Sequence, residues 1–312
     1  MTSLADIKEK KNPFTVLLPI CCVAISVLML IFGEEIKRGV TAGMGISFNN
    51  IIPTLFPFFI LSDLWSATVQ TKRNSLLGRG FEMLFNIDGR ATNIFILGAV
   101  CGFPLGIKTA VKQYELGIIR KDDLQVLCGF VNNPSIAFVI FGVGAGIYHS
   151  PAIGILLYFS VILSACITGF IFRRKKKDFT KSEYISRQSF SLVESIKSAG
   201  MSSITISSYI IFFSALISLV EKIFGNDFFL ALISAFLEIA GASNLIARLS
   251  NSLGVYSLIL TAFALGFSGF SVHLQSFVFM PKELSKKRYL LMKLVQGVIS
   301  ALIISLYFIP TK

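Results

Sequence analysis

Residues 91–112 read ATNIFILGAVCGFPLGIKTAVK, and the fold turns on them. About 20 apolar residues cross the hydrocarbon core of a bilayer, so the stretch is long enough to enter one. Its middle is interrupted by Gly102-Phe103-Pro104-Leu105-Gly106. Proline removes a backbone hydrogen bond from a helix, and glycine weakens it. In lipid the freed backbone groups must be satisfied by protein or by cavity water. The stretch therefore reads as a broken helix.

Further apolar segments lie at 14–32, 49–69, 122–146, 151–172, 200–224, 228–248, 254–280 and 288–309. Those at 151–172 and 288–309 are smooth. Pro53 and Pro57 interrupt 49–69, Asn132-Asn133-Pro134-Ser135 interrupts 122–146, and Gly266-Phe267-Ser268-Gly269-Phe270 interrupts 254–280. Broken helices at corresponding places in two halves point to a transporter's binding site. An internal likeness hints at two halves. Residues 57–62 resemble Ile211-Phe212-Phe213-Ser214, and Gly102-Phe103 resembles Gly266-Phe267. The expected fold is all-α: a polytopic membrane helix bundle of about 8–9 apolar segments with broken or re-entrant helices, in two halves forming an inverted repeat. Its parts would be an N-terminal transmembrane helix and connector (1–44), a first half (45–172), a basic loop (173–190) and a second half (191–312).

Composition agrees. The 312 residues are 54% hydrophobic and 15% charged, against about 25% charged in soluble domains. Mean hydropathy is +0.74. A soluble globular domain, a disordered chain and a disulfide-rich secreted module are excluded. The five cysteines lie in apolar stretches without metal-ligand spacing, so they read as packing residues. His149 and His273 are far apart, and no metal or other cofactor is expected.

The net charge of +12 reads as an orientation signal. Arg173, Arg174, Lys175, Lys176, Lys177, Lys181 and Arg187 place the loop in the cytoplasm, as Lys8, Lys10 and Lys11 place the N-terminus. Topology signalling explains the block at 173–177 better than binding to nucleic acid or anionic lipid. Two cytoplasmic points are separated by an even number of crossings, yet five segments precede the loop. Either 49–69 or 91–112 is thus re-entrant. Lys72, Arg73, Arg79 and Arg90 favour 91–112. An inverted repeat mirrored in 200–224 favours 49–69, and the residues leave both open. Lys282, Lys286, Lys287 and Arg288 would then be cytoplasmic and the C-terminus outside. The expected location is the cell membrane.

The candidate solute-binding residues cluster at the interruptions. They are Pro53, Pro57, Gly102, Pro104, Gly106, Asn132, Asn133, Pro134, Glu238, Gly241, Gly266, Ser268, Gly269, His273 and Gln275. Backbone amides at breaks, the Asn132 and Asn133 carboxamides, His273 and Gln275 supply donors and acceptors. A carboxylate at mid-membrane is rare and faces a cavity or a partner. Glu238 is therefore the candidate for ion coupling, with Asp63 second and Lys108 a conceivable partner of Glu238. Lys108 and Lys112 otherwise read as snorkelling, and Gln296 as weak cavity lining. Gly98, Gly102 and Gly106 recur every four residues, a spacing that lets helix backbones approach closely. GFPLGIKT at 102–109 lacks the Gly-Lys pair of a P-loop, and Gly142, Gly144 and Gly146 form no dinucleotide fingerprint. No nucleophile–base pair, HExxH or paired-carboxylate motif is present, so an enzyme is not expected.

Several motifs follow one another in a fixed order: residues 53–59, 101–106, Asn132-Asn133-Pro134-Ser135, 237–241 and 266–275. Together they resemble the YlbJ-type sporulation integral membrane proteins over about residues 45–300. That family carries the nucleoside-recognition, or Gate, domain, found also in concentrative nucleoside transporters and ferrous iron transport proteins. The chain departs from the family at Ala240-Gly241, where Thr-Asn-Gly stands, and at Phe103, where tyrosine stands. The resemblance implies a bundle of broken helices in inverted repeats and a link to spore cortex formation, without supplying a substrate. The expected function is a secondary transporter or channel-like protein for a small polar solute, driven by an ion gradient or by the solute's own gradient. The competing expectation is a non-transporting scaffold or regulator in a sporulation assembly. Expected partners are the lipid bilayer, a small polar solute or ion, and either a second copy of the chain or other sporulation membrane proteins. Nucleic acid is not among them.

Overall fold

The computed structural model describes residues 13–68, 75–175 and 191–308, and among the described residues there is no strand. Four helical runs are long and apolar enough to cross a membrane: Pro151–Ile171, Leu192–Ile223, Tyr256–Phe279 and Lys286–Phe308. With the shorter apolar helices around them they form an all-α membrane helix bundle. Helix α1 (Pro13–Ile31) turns Ile20, Val23 and Leu30 outward, as a lipid-facing surface does, and packs against the next helix.

That next helix is long. Helix α2 (Gly33–Ile46), a π turn (Ser47–Ile51) and α3 (Ile52–Thr68) run on without a break. The expected interruption of 49–69 at Pro53 and Pro57 does not occur. The Ile52 N–H bonds the Ser47 carbonyl, five residues back. This π register precedes Pro53 and absorbs the change that its missing N–H imposes. Both prolines sit on the exposed face.

Two helical hairpins and two straight broken helices follow. Helices α5 (Thr92–Cys101) and α6 (Leu105–Glu115) form the first hairpin. The Arg90 guanidinium donates to the Ile118 carbonyl at 3.5 Å, so both feet stand at one end of the bundle. Gly98 and Gly106 face each other across the hairpin, where a Cβ on either would lie 3.3 Å from the other's Cα. Of the two alternatives for the re-entrant segment, 91–112 is the one that turns back.

Helices α10 (Asp227–Leu237) and α11 (Ile239–Arg248) form the second hairpin. Ala231 and Ala235 pack with Ala242 and Ile246, and Arg248 returns to Glu221 near the hairpin's start. Residues 228–248 read as one uninterrupted segment in the sequence, and the structure corrects this with a break at Glu238. There the chain turns with neither proline nor glycine, because Glu238 caps α11.

The straight broken helices are α7 (Lys121–Val131) continued by a π-helical stretch (Phe138–Ile147), and α13 (Tyr256–Phe267) continued by α14 (Gly269–Phe279). Each is followed by an unbroken helix, α8 (Pro151–Ile171) or α15 (Lys286–Phe308). The one-turn helix α12 (Ser250–Leu253) lies between α11 and α13.

Chain order now shows the repeat. The starts of α5 and α10, α6 and α11, α7 and α13, and α8 and α15 lie 134 or 135 residues apart. Helix α9 (Leu192–Ile223) corresponds to α2–α3, whose last described residue, Thr68, precedes Ile223 by 155. The difference is an insertion in the first half. Residues 69–91, including α4 (Leu76–Phe85), join α3 to α5, whereas only 224–226 join α9 to α10. Equivalent helices run antiparallel. Gly39 meets Ser214 and Ser218 while Gly43 meets Ile211. Leu157 of α8 shares a core with Ile304 of α15, and the Ser160 and Ser300 hydroxyls are 3.0 Å apart. The expected pairing of Gly102-Phe103 with Gly266-Phe267 is thereby corrected. Gly102, at a hairpin tip, corresponds to Glu238. Gly266-Phe267, in a straight helix, corresponds to the end of α7 at Val131.

Charged and polar pairs mark the two ends. One end holds Arg174 with Asp122 and Asp123, Arg90 with Asp88, and Gln125 with Ser285. The other holds Lys222 with Glu35, and Arg38 and Arg248 with Glu221. Helix α4 lies at the Arg174 end, with Phe81 and Phe85 packed on Phe95 and Phe130 and with Leu76, Leu77 and Met83 exposed. The basic loop beyond Lys175, the lysines at 8–11, and Lys72 and Arg73 lie outside the described residues.

Candidate functional site

Each hairpin tip presses on the break of a straight helix. At the first tip Gly102 adopts φ +82°, open to glycine, and the Phe103–Pro104 peptide is cis. A Cβ on Gly102 would stand 2.6 Å from the Ser135 nitrogen, in the α7 break. At the second tip a Cβ on Gly269, φ +68°, would stand 3.1 Å from the Glu238 nitrogen and Cα. Ser268 takes φ +78°, a left-handed conformation rare for a side-chain-bearing residue, and its N–H bonds the Ala264 carbonyl at 2.8 Å.

The tips open onto a cavity of about 1060 Å³. Gly102 and Phe103 line it from the first tip, Glu238 and Ala240 from the second, Ser135 from one break, and Ser271 and Gln275 from beyond the other. Ile206 and Ile210 of α9 and Asn49 and Leu55 of the long helix close its sides. It extends to exposed His149 and to Arg248, at the end opposite Arg174.

Glu238 is 2% exposed. Its Oε1 accepts from the Ala240 N–H at 2.9 Å and its Oε2 from the Gly241 N–H at 2.6 Å. The positive end of α11 thus compensates a carboxylate placed at a cavity wall. Lys108, the partner considered for Glu238, instead donates to Ser198 at 2.9 Å. Gln275 donates to Ser271 at 3.4 Å, and its Oε1 has no protein partner, which leaves an acceptor for a ligand.

The other sequence candidates divide into groups. Asn132 and Asn133, both fully buried, do not line the cavity. They belong to a second polar cluster behind it. Asn132 Nδ2 donates to Ser276 at 2.9 Å and to the Tyr289 hydroxyl at 3.1 Å. Lys293 Nζ donates to the Asn132 carbonyl at 2.8 Å and to Gln296 Oε1 at 2.7 Å. Gln296 in turn donates to Asn133 Oδ1 at 2.7 Å, so it lies in this cluster and not in the cavity wall. His273 Nδ1 lies 3.2 Å from the Tyr289 hydroxyl, so His273 faces the cluster although Gln275 faces the cavity.

Pro104 and Pro134 are buried at the breaks. Gly106 and Gly98 pack against the Val131 carbonyl. Gly266 packs on Gly297 and Ser300. Pro53 and Pro57 are exposed on α3, Asp63 is half-buried farther along the same helix, and Lys112 is exposed; none of these four lines the cavity. Ser135, Ser271, Ser276, Tyr289 and Lys293 also stand at the cavity or the cluster and are not among the sequence candidates. Ser135 and Ser271 lie within motifs at the breaks, and Lys293 is a charge within an apolar helix; Ser276 and Tyr289 carry no such signal.

The sporulation integral membrane protein YlbJ of Bacillus subtilis (strain 168) is 24% identical to this chain, in an alignment covering 86% of this chain and 76% of that one. No family model matches the chain. No solved structure matches it.

Proposed function

Starting from a chain of the YlbJ type of sporulation integral membrane protein, we propose a secondary transporter or channel-like protein for a small polar solute, bound where the hairpin tips meet. The observation that carries this reading is the convergence of both tips, and of residues at or just beyond both helix breaks, on one cavity. Broken helices whose freed backbone groups line a cavity are how membrane transporters build solute sites. The inverted repeat supports it, because two like halves of opposite direction suit a site that opens to each side in turn. The likeness of the motifs to Gate-domain proteins supports it as well.

In this reading the Arg174 end is cytoplasmic, which the basic residues from Arg173 onward support. The cavity then faces the opposite side, through His149 and Arg248. Glu238 and Gln275 are the residues that meet the solute. With both oxygens already accepting hydrogen bonds, Glu238 offers its remaining lone pairs to hydroxyl or amine donors.

The test is osmotic swelling of proteoliposomes in a panel of polyols, free amino acids and nucleosides. Wild type is expected to admit at least one class, and Glu238→Gln and Gln275→Leu to slow that uptake tenfold or more while remaining folded. Folded wild-type protein that admits none would overturn transport and favour a non-transporting role in a sporulation membrane assembly. Equal uptake by wild type and Glu238→Gln would remove Glu238 from the site.

A further inference from the structure

Lys293 has no place in the solute cavity, yet it is the most demanding side chain in the bundle. It is 0% exposed, lies on α15 among apolar residues, and has no carboxylate partner among the described residues. A buried, unpaired ammonium is costly unless hydrogen bonds and dipoles replace its water. Both of its bonds go to neutral oxygens, the Asn132 carbonyl and Gln296 Oε1, at 2.8 and 2.7 Å. The first of these oxygens caps the carboxyl end of α7, where the helix dipole gathers partial negative charge. The ionisable groups that face this cluster are His273 from α14, Tyr289 from α15 and Cys128 from α7.

Carbonyl oxygens of an unwound helix and the carboxyl ends of half-helices are the groups that hold coupling cations in membrane transporters. Here a backbone carbonyl and a carboxamide oxygen surround an ammonium, and the buried Asn132 Oδ1 stands in the same cluster without a partner. We propose that the Lys293 ammonium is a tethered cation. It occupies a monovalent-cation position at the α7 break, so that the bundle is held together there without a free ion. The consequence for transport, that no sodium is needed at this break, rests on the function proposed above. The site itself does not, and it is read by stability alone.

The experiment uses the full chain in detergent and follows thermal unfolding in chloride salts of sodium, potassium, methylammonium and choline. Wild type is expected to unfold at the same temperature in all four. Lys293→Ala is expected to unfold lower in choline and to regain stability, in a concentration-dependent way, with sodium or methylammonium, as binding to the native state alone requires. Lys293→Met, which fills the space without charge, is expected to lose stability that no cation restores. Sodium stabilising wild type as much as Lys293→Ala would overturn the proposal. So would Lys293→Met as stable as wild type, or Lys293→Ala without rescue in any salt, failure to fold in every salt included. A folded wild-type protein that admits no solute would sink the transport reading and leave these outcomes standing.

Discussion

Glu238 does two jobs with one side chain. It turns the chain between α10 and α11 by accepting both N–H groups of the next turn, and it presents its carboxylate to the cavity. Loss of an N-cap typically costs about 1 kcal/mol. Glu238→Ala should therefore lower the unfolding temperature most, whereas Glu238→Gln, whose amide oxygen keeps one of the two accepted bonds while its NH2 faces the other N–H, should fall between Glu238→Ala and wild type; thermal unfolding of the purified proteins orders the three. The acid was legible in the sequence because a charge in an apolar run is rare. The break it makes was not, because breaks were sought at proline and glycine, and a capping glutamate leaves no such mark. Lys293 was legible by the same rule and was missed. It stands inside the last apolar segment, five residues past Arg288, where smoothness hid it. His273 and Gln275, two residues apart, were legible as polar. Their opposite destinations depend on how α14 is rotated after the Ser268 break.

At the scale of elements the glycines decide how closely the chain can fold on itself. Gly98 and Gly106 sandwich the Val131 carbonyl, and a Cβ at either would strike it. A Cβ added at Gly45 or Gly200, also in helices, would meet nothing within 4 Å. Gly106→Ala should thus sharply reduce the yield of folded protein in fluorescence-detected gel filtration, while Gly45→Ala should leave it unchanged. The four-residue glycine spacing is readable in the sequence, and so is its meaning as close packing. That this packing joins the arms of one hairpin was not readable from the spacing, which also serves two separate helices; the parity of crossings and the basic residues at 72–90 pointed to it, with 49–69 left as the alternative. The long helix was misread for a related reason. Two prolines four apart read as a break, but the π turn before them lets the helix continue.

For the whole molecule, charge and length were the readable quantities. Apolar runs gave the bundle, and the likeness of residues 57–62 to Ile211–Ser214 falls within the two long helices that correspond, α3 and α9. One further offset in the sequence was taken for the rest of the repeat, whereas the insertion around α4 changes the spacing partway along it. The proposed orientation makes a direct prediction. A single cysteine at Gly225 should react with an impermeant maleimide added from outside intact cells, and one at Glu115 only after the membrane is opened, in a background where the native cysteines are replaced. Labelling in the reverse order would turn the molecule over. The inverted arrangement also says something about descent. The shared unit is a long helix, a hairpin, a broken helix and a plain helix, and it passes through the bundle three times. A second copy made by tandem duplication leaves the ribosome facing the other way, with no rearrangement needed. Helix α1 belongs to neither copy, and in the proposed orientation it is the added passage that sets which copy's hairpin dips in from which face.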